Sequence, residues 1–198
     1  MSQSQSPSPD TDIREAQQRL REFRRGKTAE RLFTHPIDHP ALPTGFCYCE
    51  GSFWKAAAFV IKAIIIAAVF KLPWNCLKVW TLRRFGARVG HQVYFASGVW
   101  IDPTFPELIT IDDKVFFGMS AKVFNHEYRR NEFRAGKVTI HTGAFIGGFA
   151  VIAPGVEVGE NAVLSAFAVA VHDVPADSTL VASLSRVIKR DAVPPNFV

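Results

Sequence analysis

Asn125, His126 and Glu127 stand together just before a charged stretch, Arg129 to Thr139, which carries Arg129, Arg130, Arg134 and Lys137. An imidazole is the side chain that exchanges a proton most readily near neutral pH, so His126 is a candidate for moving a proton to or from a hydroxyl. His91, His141 and His172 lack that setting and read as polar surface residues. The charges after His126 suit a phosphate-bearing acceptor or, more simply, a solvated loop. Of the three cysteines, Cys47 and Cys49 form a Cys-x-Cys pair that offers two of the four ligands a structural zinc site uses, and Cys76 stands alone. Three are too few for a secreted disulfide framework, which fits a reducing, cytoplasmic setting.

The elements that position these residues follow from composition and pattern. The 198 residues are 48% hydrophobic and 21% charged, enough to bury a core and too apolar for a disordered chain. The first eleven, MSQSQSPSPDT, lack the charged start and apolar stretch of a signal peptide, so the sequence predicts no export. Asp12 to Arg31 has helix formers with an apolar minority (Ile13, Leu20, Phe23) and predicts a solvated helix. Residues 34–52 carry Pro36, Pro40, Pro43, Gly45 and Gly51, which predicts a connecting loop. Residues 1–52 therefore form one segment and 53–88 a second, hydrophobic and basic one. Its core, FWKAAAFVIKAIIIAAVFKL at 53–72, predicts a helix that stops before Pro73. Lys62 at its centre costs roughly 3 kcal/mol on the insertion scale and disfavours a span. Lys55 and Lys62 share a face, as expected of a helix lying in a membrane interface with its lysines snorkelling outward and Trp54 and Trp74 as anchors. Packing against the protein is the alternative. The net charge of +5 is concentrated here: Gly51 to Ile101 holds seven Lys/Arg and no carboxylate. That favours anionic surfaces, although no nucleic-acid module accompanies it and no nucleic-acid partner is expected.

From Val89 the period becomes six. The chain reads VGHQVY, FASGVW, IDPTFP, then IDDKVF, FGMSAK, VFNHEY, then IHTGAF, IGGFAV, IAPGVE, VGENAV, LSAFAV, AVHDVP, and an aliphatic or aromatic residue leads every hexad but the last. A sustained hexad predicts a parallel β-helix in which leading residues point inward and stack on the next coil. The β-helix spans 89–175, with insertions at Glu107 to Thr110 and Arg129 to Thr139, and residues 176–198 form a closing cap.

These residues resemble the left-handed β-helix acyltransferases, in particular the maltose, galactoside and colanic acid biosynthesis type of O-acetyltransferase. The resemblance rests on FPELITIDDKVFFGMSAKVFNHEYRR, on KVTIHTGAFIGGFAVIAPGVEVGENAVLSAFAVAVHDVPADS and on the closing RVIKR. It implies a mostly β fold, a left-handed parallel β-helix preceded by α-helical segments. It also implies a homotrimer that holds acetyl-CoA between neighbouring β-helices and acylates a hydroxyl of a sugar or related small acceptor in cell-surface polysaccharide synthesis. On that resemblance His126 is the general base, Asn125 and Glu127 support its ring, and Asp102 binds acceptor hydroxyls. Phe145, Gly148, Ala166, Arg186 and Lys189 contact the coenzyme, and no metal is expected. Two positions depart from the pattern: Phe167 stands where the family has glycine, and Ala182 to Ser185 replaces its Ala-Gly-Asn-Pro loop. They leave a noncatalytic trimeric assembly module as an alternative. A zinc protein of the γ-type carbonic anhydrase kind is another, although His91, His126 and His141 fall at different hexad positions and would have to converge across a trimer interface.

Overall fold

The computed structural model describes residues 9–36, 53–129 and 132–182. Helix α1, Pro9–Arg24, spaces Ala16, Leu20 and Phe23 along one stripe, and all three are buried. Gly26 follows in the left-handed region, at φ 71°, which ends a helix without a Cβ penalty. The solvated helix expected to reach Arg31 is thus corrected: it stops at Arg24, and its stripe packs on Phe33, Phe105, Leu108, Phe133 and Ala135. Strand β1, Leu32–Pro36, also corrects the expected loop, whose first residues, 34–36, are extended. The remaining loop residues, including Cys47 and Cys49, lie outside the described residues. Helix α2, Phe53–Phe70, precedes Pro73, and helix α3, Asn75–Arg84, follows it.

The rest winds as a β-helix. Its first coil is β2 (Arg88–Val89), β3 (Tyr94–Phe95) and β4 (Trp100–Ile101). The second is β5 (Ile109–Ile111), β6 (Phe116–Phe117) and β7 (Lys122–Val123). The chain then leaves as β8 (His126–Arg129) and β9 (Glu132–Gly136) and returns as β10 (Val138–Ile140), β11 (Phe145–Ile146) and β12 (Val151–Ile152). The fourth coil is β13 (Glu157–Val158), β14 (Val163–Leu164) and β15 (Val169–Ala170), and β16 (Thr179–Leu180) starts a further turn. Three parallel sheets result: β2-β5-β10-β13 on the first face, β3-β6-β11-β14-β16 on the second, and β4-β7-β12-β15 on the third. Register shifts by one coil, so Val89, Ile111, Ile140 and Val158 stack in one column and Phe95, Phe117, Ile146 and Leu164 in another. These hexad leaders are buried, each contributing roughly 1.5–3 kcal/mol. The parallel β-helix expected from the period is present.

A first coil has an open strand edge, and α3 covers it with side-chain donors and an acceptor. Asn75 Nδ2 donates to the Val93 carbonyl at 2.8 Å, and its Oδ1 accepts the Phe95 N–H at 2.9 Å. Lys78 Nζ reaches the Phe95 carbonyl at 3.1 Å, and Arg83 reaches those of Val89 and Gly90. Lys62 of α2 donates to the Thr104 carbonyl at 2.9 Å. Three of the seven cations in the carboxylate-free stretch therefore serve main-chain carbonyls. The lysine-out orientation of α2 is corrected for the same reason. Lys62, Ile66 and Phe70 face the protein, while Phe53, Trp54, Val60, Ile61, Ile64 and Ile65 face outward.

The insertion after His126 is not a loop. Strands β8 and β9 form an antiparallel hairpin, and β1 joins its far edge in the order β1-β9-β8. This small sheet sits against α1 and sets His126 at the junction between hairpin and β-helix.

Candidate functional site

Asp102 follows β4, and His126 begins β8 one coil above. Asp102 is 2% exposed, and its Oδ2 lies 2.6 Å from His126 Nδ1. The same oxygen accepts the Asn125 N–H at 3.2 Å, and Oδ1 accepts the Thr104 N–H at 2.9 Å. Burial alone would push the Asp102 carboxyl up. The hydrogen bond and charge of His126, together with the Thr104 hydroxyl and N–H, more than offset it and hold the group below the ordinary carboxylate range. An ionised carboxylate only accepts, so Nδ1–H is the donor in this contact and Nε2 is the nitrogen that can exchange a proton. Phe105, Tyr128 and Phe133 surround the imidazole at centroid distances of 6.1, 5.9 and 6.2 Å, leaving its side chain 18% exposed. An oriented, half-sheltered imidazole of this kind can take a proton from a hydroxyl.

Asp102, expected to bind acceptor hydroxyls, is buried with Oδ2 against the His126 ring and Oδ1 at the Thr104 N–H. Asn125 is fully buried and holds Asp102 through its N–H and through Nδ2, which donates to the Asp102 carbonyl at 3.2 Å. Glu127 follows His126 along β8 and so points to the opposite side, where it pairs with Arg129 at 2.9 Å and Arg134 at 3.7 Å. The periodicity carried no signal for this: the inward turn of Asp102 depends on where the chain leaves the coil.

His141 lies elsewhere, with Nδ1 2.9 Å from Asp112 and Nε2 2.7 Å from Glu157. The bond to Glu157, opposed by burial and reinforced by Asp112, raises its pKa. A raised folded value stabilises fully below the unfolded imidazole's pKa of about 6.5, and that contribution is lost as pH rises through the folded value. The melting temperatures of wild type and His141→Gln are therefore expected to converge as pH climbs above about 6.5. A constant gap across that window contradicts the pairing. Both nitrogens of His141 face carboxylates, and among the described residues no three His, Cys, Asp or Glu side chains are grouped to hold a metal ion.

Two of the expected coenzyme residues, Gly148 and Ala166, lie at another corner, between the second and third faces. Gly148 and Ala166 occupy equivalent places on successive coils, and the Phe167 N–H donates to the Gly148 carbonyl at 2.9 Å. A Cβ on the neighbouring Gly147 would lie 2.5 Å from the Leu164 carbonyl oxygen, so the coils can approach only without a side chain there. Phe149 and Phe167 both adopt left-handed backbone, at φ 60° and 64°, and stack 5.0 Å apart with planes at 3°. Phe167, 65% exposed, is turned outward from the β-helix core. Phe145 sits three residues before Gly148 on the second face, in a ladder with Phe116 at 5.0 Å and Tyr94 beyond it. Arg186 and Lys189 lie outside the described residues. The third face lies between this corner and His126, so the two stand at different corners of the β-helix within one chain.

Comparison with known proteins extends these observations. The family described as bacterial transferase hexapeptide (six repeats) matches residues 137–170. Over 118 residues the chain is 36% identical to YvoF of Bacillus subtilis (strain 168), whose name carries a provisional acetyltransferase assignment. That match covers 59% of this chain and 69% of YvoF. The fold is similar to a hexapeptide-repeat acetyltransferase from Vibrio cholerae O1 biovar eltor complexed with acetyl coenzyme A, with a TM-score of 0.53 and 18% identity over 70% of this chain and 90% of that one. A galactoside acetyltransferase in complex with coenzyme A matches with a TM-score of 0.50 and 19% identity, over 67% of this chain and 82% of that one.

Proposed function

This chain belongs to the hexapeptide-repeat acetyltransferases, left-handed β-helix enzymes, and from that premise we propose that it moves an acetyl group from acetyl-CoA to a hydroxyl of a sugar or related small acceptor, with His126 as the general base. The observation that carries the reading is the Asp102 to His126 contact of 2.6 Å in a pocket of aromatic rings. Acetyl-CoA supplies, when bound, a thioester carbonyl open to attack. Asp102 accepts a hydrogen bond from Nδ1–H and so assigns Nε2 to the acceptor. His126 Nε2 removes the hydroxyl proton as the acceptor oxygen bonds to the carbonyl carbon, and returns that proton to the departing thiolate as the carbon–sulfur bond breaks.

The small residues Gly148 and Ala166 leave room for a pantetheine arm, and the stacked faces of Phe149 and Phe167 give it an apolar wall. Phe145 flanks that lane, and Arg186 and Lys189 are assigned to the coenzyme phosphates. Because base and lane stand at different corners, the reading includes a homotrimer in which the base of one copy serves the lane of another. It also includes work in glycan or glycoconjugate synthesis at the cytoplasmic side of a membrane, with α2 as the contact.

Calorimetric titration with acetyl-CoA tests the donor. One saturable site per protomer is expected, in wild type and His126→Ala alike. No binding at millimolar ligand by a folded trimer overturns the assignment.

A further inference from the structure

Lys55 stands near the start of α2. With Arg21, Arg24 and Arg25 at the end of α1, and Glu107 opposite, it lines an open cleft of about 400 Å³. Among the described residues its lining holds four cations and one carboxylate. Arg24 answers Glu107 and lies 4.6 Å over the Phe105 ring, whose centroid is 6.1 Å from that of His126. The cleft is therefore one aromatic ring from the candidate base.

Immediately beside Lys55, Phe53 and Trp54 are 76% and 79% exposed, and Val60, Ile61, Ile64 and Ile65 continue an uncharged outward ridge along α2. The helix is long and apolar enough to cross a membrane by length and composition. Its other side is pinned lengthwise on the protein through Lys62 at the Thr104 carbonyl and through buried Ile66 and Phe70, so it lies along the body instead. Cations and exposed aromatics at one end of such a helix match a bilayer interface, where anionic headgroups meet acyl chains. A soluble anion accounts for the cleft but not for the ridge, and an apolar protein partner accounts for the ridge but not for the cleft.

We propose that Arg21, Arg24, Arg25 and Lys55 bind the phosphate of an anionic membrane lipid while the outward face of α2 lies among its acyl chains, holding His126 at the bilayer surface. The meaning for catalysis rests on the acetyltransferase reading; lipid binding itself does not. The test is flotation of the full-length protein with vesicles of equal parts phosphatidylcholine and phosphatidylglycerol, beside vesicles of phosphatidylcholine alone. Binding is expected to the mixed vesicles only, and to weaken with salt. The double variant Arg21→Ala/Arg25→Ala should reduce it about 30-fold, and Ile61→Glu/Ile64→Glu should abolish it, both with wild-type melting temperatures. Equal binding to both vesicles, or none, overturns the proposal. So does a lipid-free change in sedimenting mass for Ile61→Glu/Ile64→Glu, which makes the ridge a contact between copies. Thermal stabilisation by inorganic phosphate without flotation overturns it too, by assigning the cleft to a soluble ligand. Failed flotation with intact acetyl-CoA binding removes this proposal together with the membrane contact of α2 and leaves the acetyl transfer standing, and flotation without acetyl-CoA binding removes the acetyl transfer alone.

Discussion

His126→Ala should turn over at least ~100-fold more slowly than wild type, the lower end for loss of a general base, while still binding acetyl-CoA. The attacking oxygen would have to shed its proton to water as it meets the thioester. The alanine also leaves Asp102 buried without its ring partner, so a loss of activity could reflect a loosened corner. His126→Gln separates the two. Its amide can donate to Asp102 and fills much of the ring's volume, but it takes no proton in this pH range. Both variants should be equally slow in a thiol-release assay, with circular dichroism melts close to wild type for the glutamine. Turnover within ten-fold of wild type in either removes His126 from the role.

Asp102→Asn is the second large effect. The amide keeps the size of the carboxylate but can present an N–H to Nδ1, which moves the ring proton to Nε2, the nitrogen that has to accept one. A fall in kcat of about 10²–10⁴-fold is expected, with the KM for the acceptor nearly unchanged. Had Asp102 bound acceptor hydroxyls, KM would rise instead, so the split between the constants decides between the roles. A variant with wild-type kcat and a raised KM would restore the acceptor-binding role.

The β-helix was legible because its contacts share the period of the chain. Ile111 meets Ile140 and Ile140 meets Val158 for the same reason that each leads a hexad, and the insertions only delay the next coil. The motif singled out His126, and the structure sets its ring against Asp102. The inward turn of Asp102 was not legible, since it depends on the backbone path between Ile101 and Thr104, which no periodicity encodes. Nor was the pairing of β1 with β9, where Phe33 meets Ala135 across two helices and two of the four coils. For α2, spacing correctly put Lys55 and Lys62 on one side. The direction that side faces was decided by a carbonyl at Thr104 that lacked another donor among the described contacts, a tertiary fact that overrides the preference of a lysine for water.

The same β1 pairing has a consequence for how the protein is made. Helix α1 and β1 leave the ribosome before Phe133 and Ala135, which cover them and are translated only after two coils of the β-helix. Until then the stripe of Ala16, Leu20 and Phe23 has no lasting cover. Contacts this distant along the chain form slowly, so this cluster closes late, with the nascent α1 and β1 segment a natural client for a chaperone that shields apolar segments during synthesis.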